Sequence, residues 1–151
     1  MAFCNIHANV ALIKNIHRYQ RAAGNGGVLS SLSRALAAAL HKFWSVLTGS
    51  DIDRDASISI DLQLPHPNGV IMHRDAVVGQ GCMIMQQVTL GQTGNSGAPT
   101  VGNNVYIGAG AKLLGDITVG DGAKIGANAV VLKDVPENAT AVGVPARIIL
   151  S

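Results

Sequence analysis

Residues 101–131 read VGNNVY IGAGAK LLGDIT VGDGAK IGANAV V, and their spacing decides the fold. Val101, Ile107, Leu113, Val119, Ile125 and Val131 recur every six residues. Glycine follows at once in Val101-Gly102, Ile107-Gly108, Val119-Gly120 and Ile125-Gly126. No helix has a six-residue period, whereas a strand alternates by two, so six residues accommodate a short strand and a tight corner. Upstream, the same spacing runs through Ile52, Ile58, Leu64, Val70, Ala76, Cys82 and Val88, and the phase slips by one across the loop 91–100. A sustained hexad pattern of this kind is the signature of a β-helix.

A three-sided coil with one hexad per side closes in about eighteen residues, and coils stack at the strand spacing of about 4.8 Å. Such a prism is narrow. It holds columns of Ile, Val, Leu and Ala but leaves no room for large rings, and its corners need glycine or asparagine, which adopt positive φ. The composition agrees: 48% of residues are apolar and 3% aromatic, with 18 glycines. Phe3, Tyr19, Phe43 and Trp44 all precede the hexads. Only Tyr106 lies among them, beside the inward Ile107, and is expected to face out. Cys82 falls on the inward column and reads as a small buried hydrophobe.

The first fifty residues differ in kind. They carry Lys14, Arg18, Arg21, Arg34 and Lys42 and no acid, a net charge of +5, whereas residues 51–151 carry nine acids and six bases, a net −3. Ile6, Val10, Ile13 and Ile16 lie at helical spacing. Gly24-Asn25-Gly26-Gly27 breaks the pattern, and Leu29, Leu32, Leu36, Leu40, Phe43 and Leu47 form a second stripe, expected to pack against protein. Arg34, His41 and Lys42 make that run a poor membrane span, and no signal peptide is evident. A solvated basic face is preferred here to contact with a membrane or nucleic acid. The chain is therefore read as mainly β: a parallel β-helix domain over 51–151, preceded by a short α-helical segment over 1–50. The apolar balance excludes disorder, the modest Glu, Lys and Arg content excludes a coiled coil, and two cysteines exclude a disulfide framework and point to a cytoplasmic setting.

Three stretches carry a family resemblance: Val88-Thr89-Leu90-Gly91, the run from Ile107 to Gly115, and Val142-Gly143-Val144-Pro145-Ala146-Arg147-Ile148. They resemble the hexapeptide-repeat acyltransferases, and among them the serine acetyltransferases. The resemblance covers residues 51–149. It implies left-handedness, a homotrimer with active sites between subunits, and acetyl-CoA as the donor. It also implies a catalytic Asp–His pair, which maps onto Asp51 and, fifteen residues later, His66 in Leu64-Pro65-His66-Pro67-Asn68-Gly69. Fifteen residues is three short of a coil, a separation compatible with contact across a neighbouring corner.

The chemistry suits that pair. A neutral imidazole can take the proton of an acceptor hydroxyl as it attacks a thioester, and a carboxylate on the other ring nitrogen orients the ring and stabilises the imidazolium. His66 could instead be a surface turn residue between two prolines, and Asp53, Asp55 and Asp61 are alternatives to Asp51. By the same resemblance Gly91, Ala109 and Ala127 line the CoA groove, with Lys124 and Arg147 as partners for its phosphates. His7, His17, His41 and His73 read as structural. Only His66 and His73 fall in the β-helix, and two histidines lack the third ligand of an interface zinc site, so no metal is expected.

The loop departs from the family pattern. Serine acetyltransferases carry an Arg-His pair before the proline of this loop that helps to hold serine. Here the loop is shorter by about three residues, and Ala98 directly precedes Pro99. A serine carboxylate would lack its cation, and a bidentate arginine is hard to replace. The expected activity is therefore acetyl-CoA-dependent O-acetyl transfer to a small hydroxyl acceptor, where the loop favours a saccharide over L-serine. The alternatives are L-serine O-acetyltransferase of cysteine biosynthesis and a non-catalytic β-helix scaffold.

Overall fold

A computed structural model describes residues 3–24, 27–94 and 96–149 of the chain. The side chains of Ile6 and His7, and all of Asn25, Gly26 and Asn95, lie outside the described residues. Two helices, α1 (Phe3–Ala23) and α2 (Val28–Thr48), lead into fourteen short strands. The expected mainly β architecture, a left-handed parallel β-helix behind a short helical segment, is the one found.

The strands form three sheets. The first stacks β1 (Asp51–Ile52), β3 (Ile71–Met72), β6 (Thr89–Gly91), β9 (Lys112–Leu114) and β12 (Val130–Val131). The second stacks β2 (Ser57–Ile58), β4 (Val77–Val78), β7 (Thr100–Val101) and β10 (Thr118–Val119). The third stacks β5 (Met83–Ile84), β8 (Tyr106–Ile107), β11 (Lys124–Ile125) and β13 (Thr140–Val142), and ends on β14 (Arg147–Ile149), which returns antiparallel to β13. All other pairings are parallel.

Each parallel strand points one residue inward, and a second inward residue lies two positions before it; the returning β14 is exposed throughout. On the first sheet the strand residues are Ile52, Met72, Leu90, Leu113 and Val131, all buried. Val70, Ala76, Cys82 and Val88 are the preceding residues and are fully buried too. The unbroken count of six from Ile52 to Val88 thus crosses from one kind of column to the other between Leu64 and Val70. The reason is an insertion. Asp51 lies over Ile71, twenty residues on, whereas Ile71 lies over Thr89, eighteen on. Two extra residues at the corner around His66 equal the offset between the two inward columns, so counting cannot detect them. The loop before Pro99 adds five more: Thr89 lies over Lys112, twenty-three residues on.

A stacked coil ends in unpaired backbone groups, an edge open to further strand pairing. At the first coil the helices cover it. Gln20 donates from Nε2 to the carbonyls of Arg54 and Ala56 (2.9 Å each), and Asn9 donates from Nδ2 to that of Leu64. His41 Nε2 bonds the carbonyl of Ile52 at 3.0 Å, and since a carbonyl only accepts, that nitrogen carries the proton. Leu12, Ile13 and Ile16 of α1 join the aliphatic core. Cys82 is buried and its thiol lies 3.0 Å from the Gly102 carbonyl; burial pushes the thiol pKa up, so it stays protonated.

One expectation about the helices is corrected. The α2 stripe of Leu29, Leu32, Leu36, Phe43 and Leu47 does not pack on the protein; these side chains are 58–85% exposed, and only Leu40 is partly covered. The face turned inward carries Ala37, His41 and Thr48. On this face Trp44 also packs, half-buried, against the core, while the small Ala37 leaves room for the bond from His41 to the Ile52 carbonyl.

Candidate active site

His66 sits on the corner between the third and first sheets, exposed between Pro65 and the buried Pro67. The prolines restrict φ on either side of it. The corner is fastened from both neighbours along the axis. Gly69 N–H donates to the Gly49 carbonyl (2.7 Å), and Gln87 N–H donates to the Asn68 carbonyl (2.9 Å). Gly69 has a φ of 69°, and a Cβ there would press on Gln87 Cγ at 3.1 Å, so glycine is needed on both counts. A cavity of about 430 Å³ opens at this corner, lined by Leu47, Thr48, His66, Pro67, Asn68 and Gln86. Sequence reasoning missed Gln86, Thr48 and Leu47. Gln86 could have been found by adding one coil to Asn68; the helix residues could not.

Asp51 opens the first sheet on the same coil, and its N–H donates to the Val70 carbonyl (2.8 Å). Its side chain is exposed and lines a different cavity of about 280 Å³, with His41, Lys42, Ser45, Asp53 and Arg54. Asp51 and His66 thus flank the Gly49–Gly69 bond but open onto separate spaces. The three alternative carboxylates are committed elsewhere. Asp53 Oδ1 accepts from the Asp55 N–H (2.9 Å), Asp55 pairs with Arg74 (2.6 Å), and Asp61 accepts from the Gly81 N–H (3.0 Å) at a distant corner. A hydrogen bond from Ser59, reinforced by that from Gly81, holds the Asp61 carboxyl below the usual range.

The residues assigned to the CoA groove are dispersed. Ala109 and Ala127 lie on the same edge as His66, one and two coils above Gln86. The edge is continuous through Gly110 N–H to the Gln86 carbonyl (2.9 Å) and Asn128 N–H to the Ala109 carbonyl (2.8 Å). From His66 to Ala127 is three coils, about 14 Å at the strand spacing. Packing along this edge is tight, since a Cβ on Gly108 would stand 2.6 Å from the Ala127 nitrogen. Lys124 projects from β11, exposed between Tyr106 and Thr140 and three residues before Ala127. Arg147 belongs to the returning β14 and lines a cavity of about 510 Å³ with Leu132, Lys133 and Pro145. Its segment passes the upper end of the edge, where Ala146 N–H donates to the Val130 carbonyl (2.8 Å). Gly91 lies at the opposite end of the first sheet, against Leu114, where the loop begins. Among the described residues no three His, Cys, Asp or Glu side chains converge on a point where a metal could sit.

His41, at the back of the Asp51 cavity, carries a pH-dependent share of stability. Burial, with Arg54 adding to it, lowers its pKa from the ordinary value, against the opposing pull of the Ile52 carbonyl, Asp53 and Asp51. The fold thus prefers the neutral ring. Its contribution is complete above the unfolded imidazole value of about 6.5 and is lost as pH falls below it, because only the unfolded chain then gains a proton readily. Thermal melts between about pH 7.5 and 5.5 are expected to show a larger drop for the native chain than for His41→Gln. Equal drops would remove His41 from this role.

Comparison with known proteins completes the picture. Residues 98–133 match the family model described as bacterial transferase hexapeptide (six repeats). A serine acetyltransferase of Synechococcus elongatus is 46% identical over 107 residues, which is 69% of this chain and 44% of that protein. The soybean serine acetyltransferase complexed with serine superposes with a TM-score of 0.71 at 45% identity, covering 78% of this chain and 49% of that one. A serine acetyltransferase structure in complex with CoA gives a TM-score of 0.73 at 41% identity, covering 89% of this chain and 55% of that one. The chain spans about half the length of the relatives it matches. On its hexad repeats, its three stacked parallel sheets and these likenesses, the chain belongs to the hexapeptide-repeat β-helix acyltransferases.

Proposed function

We propose that the chain is an acetyl-CoA-dependent O-acetyltransferase that passes acetyl directly to the hydroxyl of a small acceptor, with His66 as general base. The observation that carries this reading is the exposed His66 at a cavity mouth, on the same edge as Ala109 and Ala127. The small side chains at those two corners leave the backbone open to an extended ligand. His66 takes the acceptor proton as the hydroxyl oxygen bonds to the thioester carbon, and returns it to the sulfur when the carbon–sulfur bond breaks. Asp51 is proposed to orient the imidazole. The backbone of the edge supplies N–H groups to the developing oxyanion, and Lys124 and Arg147 are proposed to meet the CoA phosphates. A homotrimer, in which a second copy adjoins this edge, is part of the same reading.

L-serine is the acceptor that the relatives support, since similar structures are described with serine and with CoA. One observation favours a saccharide instead: residues 92–99 contain no cation, and Ala98 is buried where the resemblance would put a histidine. A sugar has no carboxylate to neutralise. Thiol release from acetyl-CoA, compared across serine and a panel of sugars at one donor concentration, separates the readings. Acceleration by serine alone establishes the first, and by sugars alone the second. Acceleration by neither leaves the non-catalytic scaffold and overturns the proposal.

A further inference from the structure

The outward stripe of α2 is an apolar feature that the proposed activity leaves unexplained. Leu29 is 85% exposed, and Leu32, Leu36, Phe43, Val46 and Leu47 are each more than half exposed. They run along one side of a 21-residue helix about 30 Å long. Contiguous apolar surface on this scale marks a place of contact. No helix among the described residues is long and apolar enough to cross a membrane, so the stripe would lie along a surface rather than span one.

The charge around the stripe says what kind of surface. Arg18 and Arg21 of α1 share a groove with Ser30 and Ser33 of α2, which brings them beside the first half of the stripe. Arg34 is exposed on α2, but three residues before Ala37 and seven before His41 it lies on the side away from the stripe and takes no part. Lys42 shares its groove with Asp51 and Asp53 and is not counted. No acid occurs anywhere in residues 1–50. An apolar helix face bordered by cations, with nothing anionic on the same segment, complements an anionic lipid surface. It complements itself poorly: two copies joined stripe to stripe would bring Arg18 and Arg21 of each together with no acid between them.

We propose that α2 seats in the headgroup region of a bilayer containing anionic phospholipid, with its apolar stripe toward the acyl chains and Arg18 and Arg21 on lipid phosphates. The inference stands whether or not His66 is a base, because it rests on α1 and α2 alone.

The test is pelleting of the full chain with phosphatidylcholine vesicles, with and without about one-third phosphatidylglycerol, at about 0.1 M salt. The chain is expected to pellet with the anionic vesicles and not with phosphatidylcholine alone. Leu32→Glu with Leu36→Glu, and separately Arg18→Glu with Arg21→Glu, should each weaken binding on the order of tenfold or more. Lys133→Glu, a remote exposed cation, should leave it unchanged. All five positions are exposed, and unaltered circular dichroism and melting confirm that the variants fold. Failure to pellet with anionic vesicles overturns the proposal, as does full binding by the leucine variant. Loss of assembled mass in the leucine variant without loss of lipid binding also overturns it, because a second copy would then cover the stripe.

Discussion

Replacing His66 with alanine is expected to lower acetyl transfer by about two orders of magnitude or more while leaving the melting temperature unchanged. A positioned general base contributes about 10²–10⁴-fold, and among the described residues no other imidazole lines the same cavity to replace it. The fold should not notice. His66 is exposed, and the corner is held by the backbone bonds of Gly69 and Asn68 rather than by the ring. The readout is thiol release with the acceptor identified by the panel, alongside a thermal melt. Activity close to that of the native chain would remove His66 from the chemistry. A folded variant that has lost turnover but keeps its apparent affinity for acetyl-CoA would place the loss at the proton transfer itself.

The largest expected effect on stability comes from Ile107→Ala. Ile107 is fully buried and sits in register between Ile84 and Ile125, with Leu113 and Val101 fully or almost fully buried one side away. Truncating it removes aliphatic volume from a column that cannot collapse, because backbone pairing fixes the separation of the coils. A loss of about 2–5 kcal/mol is expected in urea denaturation. Coils contact only their neighbours, so the cavity weakens the stack on both sides at once. Tyr106→Ala is the control: the ring is outward and 41% exposed, and its loss should cost no more than about 0.5 kcal/mol. A cost below about 1 kcal/mol for Ile107→Ala would show that the inward columns are not what holds the prism together.

The site was only partly legible. His66, Ala109 and Ala127 were named from resemblance, and the structure brings them onto one edge through a chain of backbone bonds that hexad counting anticipates. Lys124 belongs to the adjoining face for the same reason. Asp51 comes from the same resemblance, and its spacing of fifteen from His66 is compatible with contact when a coil is taken as eighteen residues. The first coil has twenty residues, and the two side chains open onto separate cavities. The lining of the His66 cavity by Leu47 and Thr48 had no sequence signal, because a helix end meets a β-helix corner only after both have folded.

By itself the sequence determined the β-helix, its three-sided register and its aliphatic columns. A six-residue period is a local property, repeated in every hexad, and each repeat buries its aliphatics only by stacking on the next. The tertiary structure decided where that register slips and which way α2 faces. Two added residues at the His66 corner match the offset of two between the inward columns, so the apolar pattern reads the same with or without them. The leucine stripe of α2 likewise reads as a core face in one dimension. The first coil required instead a side that could come close and satisfy its carbonyls, and Ala37 and His41 provide it, which turns the leucines outward.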